Sequence, residues 1–114
     1  MVLQGTNREV GDVAVADFSG KITLGEGSST LRRTIRELVE QGQRKILLNL
    51  SDVGYIDSSG IGELVSAHST VRRVNGELKI LNLTKRVHDI LQITRLFTVF
   101  DVQSDEDAAV RSFH

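Results

Sequence analysis

The spacing of apolar positions changes along the chain, and each change marks an element. Residues 2–8 and 13–18 alternate with a period of two, as half-buried strands do, and meet at Val10-Gly11-Asp12, whose Gly and Asp suit a tight hairpin. In the second strand Val13, Val15 and Asp17 share one face, and Ala14, Ala16 and Phe18 share the other. Gly20 to Gly27 predicts a loop, because its three glycines would each weaken a regular element. Leu31, Ile35, Leu38 and Val39 then recur at helical spacing, with Arg32, Arg33, Arg36, Glu37 and Glu40 turned elsewhere. This predicts an amphipathic helix stopped near Gly42.

Ile46-Leu47-Leu48-Asn49-Leu50 and Leu78-Lys79-Ile80-Leu81-Asn82-Leu83 are almost continuously apolar, as strands covered on both faces tend to be. Between them Ile61, Leu64, Val65, His68 and Val71 form a helical stripe closed by Asn75-Gly76, so the segment reads as a strand-helix-strand crossover. Thr84 suits the cap of a short helix carrying Val87, Ile90 and Leu91, and Phe97-Thr98-Val99-Phe100 reads as a last strand. Ser104-Asp105-Glu106-Asp107 resembles a capping box, with Ala109, Val110 and Phe113 turned inward. The predicted order is ββαβαβαβα: an α/β fold with a mixed β-sheet packed against helices, as a single domain over residues 1–114.

Composition narrows the function classes. The 114 residues carry 14 basic and 15 acidic side chains, a formal charge of −1, with neither Cys nor Trp. Without Cys there is no disulfide framework, thiol nucleophile or thiolate metal site, which suits a reducing cytoplasm. Scattered cations and few aromatics provide neither the basic stripe nor the stacking platform of a nucleic-acid binder. No window approaches the ~20 apolar residues of a membrane span, and the first residues lack a basic, then apolar, export signal.

The segment with the most chemistry is Tyr55-Ile56-Asp57-Ser58-Ser59-Gly60-Ile61-Gly62. Asp, Ser, Ser and Gly are all favoured at a helix N-terminus, so a well-capped helix accounts for them by itself. A hydroxyl on that first turn also sits where backbone N–H groups hold a phosphate, which makes Ser58 a candidate phosphoacceptor. Gly60 and Gly62 remove side chains around it and let a partner approach. As a hydrolase elbow the segment fails, because position 56 is Ile where G-x-S-x-G needs Gly. The only bases on offer are His68, on an apolar stripe, His88 and His114, and none is paired with another ligand at metal-binding spacing. No metal and no cofactor are expected, and His88 and Asp89 should diverge as helix neighbours. Gly25-Glu26-Gly27-Ser28-Ser29-Thr30 lacks the Lys of a phosphate loop and reads as a flexible surface loop. Arg32-Arg33, Arg72-Arg73, Lys85-Arg86 and Asp105-Glu106-Asp107 read as solvated faces, Arg72-Arg73 being on the helix that starts at Ser58 and so within range of the same partner.

The Lys45–Leu50 strand, the Tyr55–Gly62 segment at its distance from that strand, and Asn75-Gly76-Glu77-Leu78-Lys79-Ile80 together resemble a STAS domain of the anti-sigma factor antagonist family, over nearly the whole chain. The resemblance implies a binding module with no catalytic residues, whose phosphoacceptor is the Ser directly after the Asp, here Ser58, flanked by Asp57, Ser59, Gly60, Ile61 and Gly62 as partner-binding residues. It implies as partner an anti-sigma factor serine kinase of the histidine-kinase-like ATPase type. The unmodified antagonist binds it and frees the sigma factor; the phosphorylated form lets go until a metal-dependent Ser/Thr phosphatase restores it. Such members often carry an acidic residue soon after the Gly that ends the second strand, where this chain has Lys21-Ile22-Thr23-Leu24-Gly25. STAS domains also serve as scaffold or accessory pieces of stress-signalling and transport complexes, but a free-standing chain with an intact Asp57-Ser58-Ser59-Gly60 fits the antagonist better.

Overall fold

The computed structural model describes residues 3–95 and 98–113. The elements run β1 (Gln4–Val10), β2 (Val13–Ile22), α1 (Glu26–Glu40), β3 (Lys45–Ile56), α2 (Ser58–Arg73), β4 (Glu77–Leu83), α3 (Lys85–Ile93), β5 (Val102–Gln103) and α4 (Glu106–Arg111), in the predicted order. The five strands form one sheet in sequence order, antiparallel between β1 and β2 and parallel from β2 to β5.

The alternation in β2 separates two cores. Ala14, Ala16 and Phe18 face Leu31, Ile35 and Leu38 of α1, Leu64 and Val71 of α2, and Val87 and Leu91 of α3. Val13 and Val15 join Leu47, Leu81, Ala109 and Phe113 on the opposite face, beneath α4. The three crossover helices therefore share one side of the sheet, as connections of one hand require, and the short α4 closes part of the other. Asp17 lies on the α4 side, as its place in the alternation predicts, where Arg8 Nε donates to it at 2.6 Å and Asn49 Nδ2 at 2.7 Å.

Several boundaries differ from the sequence expectation. The first strand reaches Val10, leaving Gly11-Asp12 as a two-residue turn, with Gly11 at φ 60°; residue 2 lies outside the described residues. Instead of a loop over Gly20–Gly27, β2 continues to Ile22 and α1 begins at Glu26. Gly27 and Ser28 are buried there, and a Cβ on Gly27 would sit 2.7 Å from the Lys21 carbonyl oxygen, so glycine serves close packing of helix on strand. The Ser28 hydroxyl donates to the Thr23 carbonyl at 2.9 Å, so the serine-rich segment is a fixed helix start, not the flexible loop expected of it.

β3 runs past Leu50 to Ile56, because Val53 and Ile56 are buried and the extension pairs with Ser19–Ile22 of β2. The final strand is Val102–Gln103 and not 97–100: Phe100 is buried in the main core, and pairing with β4 begins where Val102 meets Ile80. Phe97 falls outside the described residues. The last helix is capped by Asp105, whose side chain accepts from Ala108 N at 2.9 Å, one position after the predicted Ser104.

Candidate functional site

The parallel strands β2 and β3 end side by side at Ile22 and Ile56, and the backbone N–H of Asp57 donates to the Ile22 carbonyl at 3.2 Å. Asp57 is extended (φ −103°, ψ −175°) and caps α2, its Oδ1 accepting from Gly60 N at 2.9 Å. Its other oxygen, Oδ2, accepts from Leu24 N at 3.0 Å. One carboxylate thus ties the helix start to the chain leaving β2. The amides of Gly60 and then Leu24 hold its pKa below the ordinary carboxylate value.

Ser58 is the first residue of α2 and is exposed, and its hydroxyl makes no hydrogen bond among the described residues. Asp57 holds the Gly60 amide, so the hydroxyl is presented outward on a fixed turn. Ser59 is half-buried and borders a cleft of about 420 Å³ with Leu24, Ser29, Arg32, Gly62 and Glu63. Arg32 of α1 reaches across this cleft to pair with Glu63 of α2. On the other flank a cleft of about 530 Å³ is lined by Lys21, Asp52, Tyr55 and Arg86, with the Arg86 guanidinium 5.0 Å from the Tyr55 ring centre. Lys21, in the segment that follows Gly20, opens onto this second cleft.

Two of the expected partner-binding residues are turned inward. Gly60 is buried, and a Cβ there would lie 2.0 Å from the Ile22 carbonyl oxygen and 2.7 Å from Ile56 Cγ1. Its glycine lets α2 start against β2 and does not open space for a partner. Ile61 is 7% exposed and belongs to the main core. Gly62 is exposed, with open space where a Cβ would stand. The outward group is therefore Ser58, Ser59 and Gly62, with Asp57 as its support.

His68 shares α2 with Ser58 but stands well along it. His68 lies about 15 Å further along α2 at 1.5 Å per residue, half-buried, its ring centre 5.9 Å from that of Phe100. Burial, then Arg72, lowers its pKa. His88 and Asp89 approach at 3.6 Å, closer than diverging helix neighbours were expected to be; His114 is outside the described residues. Arg72 and Arg73 occupy the last turn of α2, about 21 Å from Ser58 by the same rise. A partner covering Ser58 reaches them only by running along most of the length of α2. Among the described residues no three His, Asp or Glu side chains gather as a metal site would need, and no helix is long and apolar enough to cross a membrane.

No local pattern announces the Arg32–Glu63 pair, which joins residues 31 positions apart. Leu24 carried a signal, as an apolar residue outside every periodic stripe; it is 78% exposed beside Asp57.

Comparison with known proteins agrees with this fold. The Bacillus subtilis anti-sigma-B factor antagonist is 33% identical over 95 residues, covering 83% of this chain and 85% of that protein. The crystal structure of Thermotoga maritima TM1081 superposes with a TM-score of 0.87 at 22% identity, over 96% of this chain and 93% of that one. Unphosphorylated SpoIIAA, an anti-sigma factor antagonist, superposes with a TM-score of 0.70 at 20% identity, over 95% of this chain and 96% of that one. A phosphorylated form of Bacillus SpoIIAA has the same TM-score of 0.70 at 21% identity, over 95% of this chain and 98% of that one. The family model for the STAS domain matches residues 6–109, and the chain accordingly belongs to the STAS domain family.

Proposed function

We propose that this chain, read as one STAS domain over residues 1–114, is an anti-sigma factor antagonist acting in the cytoplasm. It is a binding module and not an enzyme. Unmodified, it binds an anti-sigma factor serine kinase of the histidine-kinase-like ATPase type and so releases the sigma factor. Phosphorylation of Ser58 ends the binding, and a metal-dependent Ser/Thr phosphatase resets it.

The observation that carries this reading is the Ser58 hydroxyl, exposed and without a hydrogen bond among the described residues, on the first turn of a helix whose start is fixed by Asp57. A phosphoryl group adds a charge of about −1.5 to −2 and three acceptor oxygens. The positive end of α2 offsets part of that charge, so the domain stays folded. A partner surface packed over Ser58 cannot accommodate it without cations of its own, and desolvation together with repulsion drives release. The relatives named anti-sigma factor antagonists, with one of them known in both phosphorylation states, support the same reading.

The test is incubation with the anti-sigma factor kinase of the same genome and ATP, read by intact mass and site mapping. One phosphate on Ser58, absent from Ser58→Ala, is expected. By calorimetry Ser58→Ala keeps kinase affinity and Ser58→Asp loses it. Phosphate confined to Ser59, or equal affinities of the two variants, overturns the assignment.

A further inference from the structure

A second groove, of about 260 Å³, runs between α1 and α2 and shares Arg32 and Glu63 with the cleft beside Ser59. Buried Ile35 and Ala67 contribute apolar floor, and the walls carry Arg32, Arg36 and Arg73. The single carboxylate there, Glu63, is already paired with Arg32. Arg36 is exposed and has no ion pair among the described residues, although Glu37 and Glu40 share its helix. Arg73 donates to Thr70 Oγ1 at 3.2 Å within its own helix and likewise meets no acid among the described residues. Two cations are left uncompensated on a chain whose formal charge is −1. No aromatic ring lines the groove to stack a base, which favours a protein occupant over a nucleic acid.

We propose that this groove seats an acidic segment of the protein that docks at Ser58. The identity of that protein rests on the function proposed above; the chemistry of the groove does not. Charge complementarity selects the occupant, and continuity places it: a partner covering Ser58, Ser59 and Gly62 extends down the α1–α2 groove through Arg32 without a second, separate contact. The same arrangement gives the switch its sign. A phosphoryl group on Ser58 brings negative charge to the head of a groove occupied by carboxylates, so the part of the acidic segment within about 10 Å of Ser58 is repelled along with the surface in direct contact.

The test has two arms. In the first, the full ¹⁵N-labelled chain is titrated with a short polyglutamate peptide at low salt. Shifts are expected at Arg36, Ser66, Thr70 and Arg73, disappearing at high salt and in Arg36→Glu/Arg73→Glu. The charge-neutral Arg36→Gln/Arg73→Gln serves as a second variant, because an acid in the last turn of α2 opposes the helix dipole. No shifts, or equal shifts around Lys21 and Arg86, overturn the proposal. In the second arm the kinase is the ligand, and the Gln variant weakens binding about tenfold at low salt with a shallower salt dependence. Unchanged kinase affinity in a variant whose Ser58 still gates binding overturns the groove and leaves the antagonist reading standing. Peptide shifts confined to the groove, with no kinase binding even in the unmodified chain, leave the groove's chemistry standing and overturn the antagonist reading.

Discussion

At the scale of single residues, the site depends on two glycines that sequence treats alike and structure separates. Gly60→Ala drives a methyl group to within 2.0 Å of the Ile22 carbonyl, the acceptor of the Asp57 amide, so β2 and the start of α2 must part. Overpacking of this kind costs about 3 kcal/mol. Gly62→Ala meets open space on a helix and stabilises by about 0.5–1 kcal/mol through helix propensity. Urea unfolding of both variants checks the opposite signs, and a destabilised Gly62→Ala would contradict the placement. Asp57→Ala removes the acceptor of both Gly60 N and Leu24 N and costs about 2 kcal/mol, and Asp57→Asn recovers at most about half of it, because its one carbonyl oxygen accepts from a single amide while its NH2 group faces the other. The position of Ser58 on a capped first turn was legible because Asp, Ser and Gly have strong local preferences there. The burial of Ile61 was legible too, from its place on the apolar stripe of α2, but that of Gly60 was not, because it depends on where β2 ends, a contact that no local pattern encodes.

At the scale of elements, α4 shows how a six-residue helix is kept on a sheet. Arg8 of β1 pairs with Glu106 at its start. At its end Lys79 of β4, 7% exposed, donates to the Ser112 carbonyl at 2.9 Å and its hydroxyl at 2.8 Å, pairs with Asp101 at 3.1 Å and stands 5.0 Å from the centre of the Phe113 ring. Too short to be stable alone, the helix relies on these ties and on Ala109 and Phe113 in the second core. Lys79→Ala is expected to lower stability by about 3 kcal/mol, through lost stem packing and unpaired acceptors, and Lys79→Met by about 1–2 kcal/mol, since it keeps the stem. Hydrogen exchange should show α4 amides opening first in both, whereas uniform acceleration over the sheet would place the loss elsewhere. The helices α1 to α3 and the centres of β2, β3 and β4 were legible because buried stripes repeat with a definite period. The start of α1 was hidden because its glycines read as breakers when they serve close packing. β5 was hidden because two residues hold no period, and the choice of Asp105 over Ser104 as cap lies between two residues that cap equally well.

At the scale of the whole molecule, the shifted carboxylates and His68 act in one direction. Lys45 lowers the pKa of Asp12, Arg8 lowers those of Asp17 and Glu106, and backbone amides lower that of Asp57. In each case the unfolded chain binds protons more readily than the native one, so stability rises with pH through the carboxylate range. The contribution is complete above the ordinary values of 3.8 for Asp and 4.5 for Glu, and is lost as pH falls through the lower native values. His68 adds a separate step of the same sign. Burial and Arg72 hold it neutral, and the cleft beside it also presents Glu77, Lys79 and Asp101. Its ordinary value is 6.5, so its share is complete above that pH and is lost as pH falls through the native value. The thermal midpoint is therefore expected to be level above about pH 7, to decline modestly below about 6.5, and to fall steeply below about 4. His68→Gln should flatten the first decline and leave the second unchanged. Because His68 is about 15 Å along α2 from Ser58, the same variant should leave Ser58 phosphorylation at neutral pH untouched. A first decline that persists in His68→Gln would assign it to another group, and a lost phosphorylation would mean that the two ends of α2 are coupled through the core.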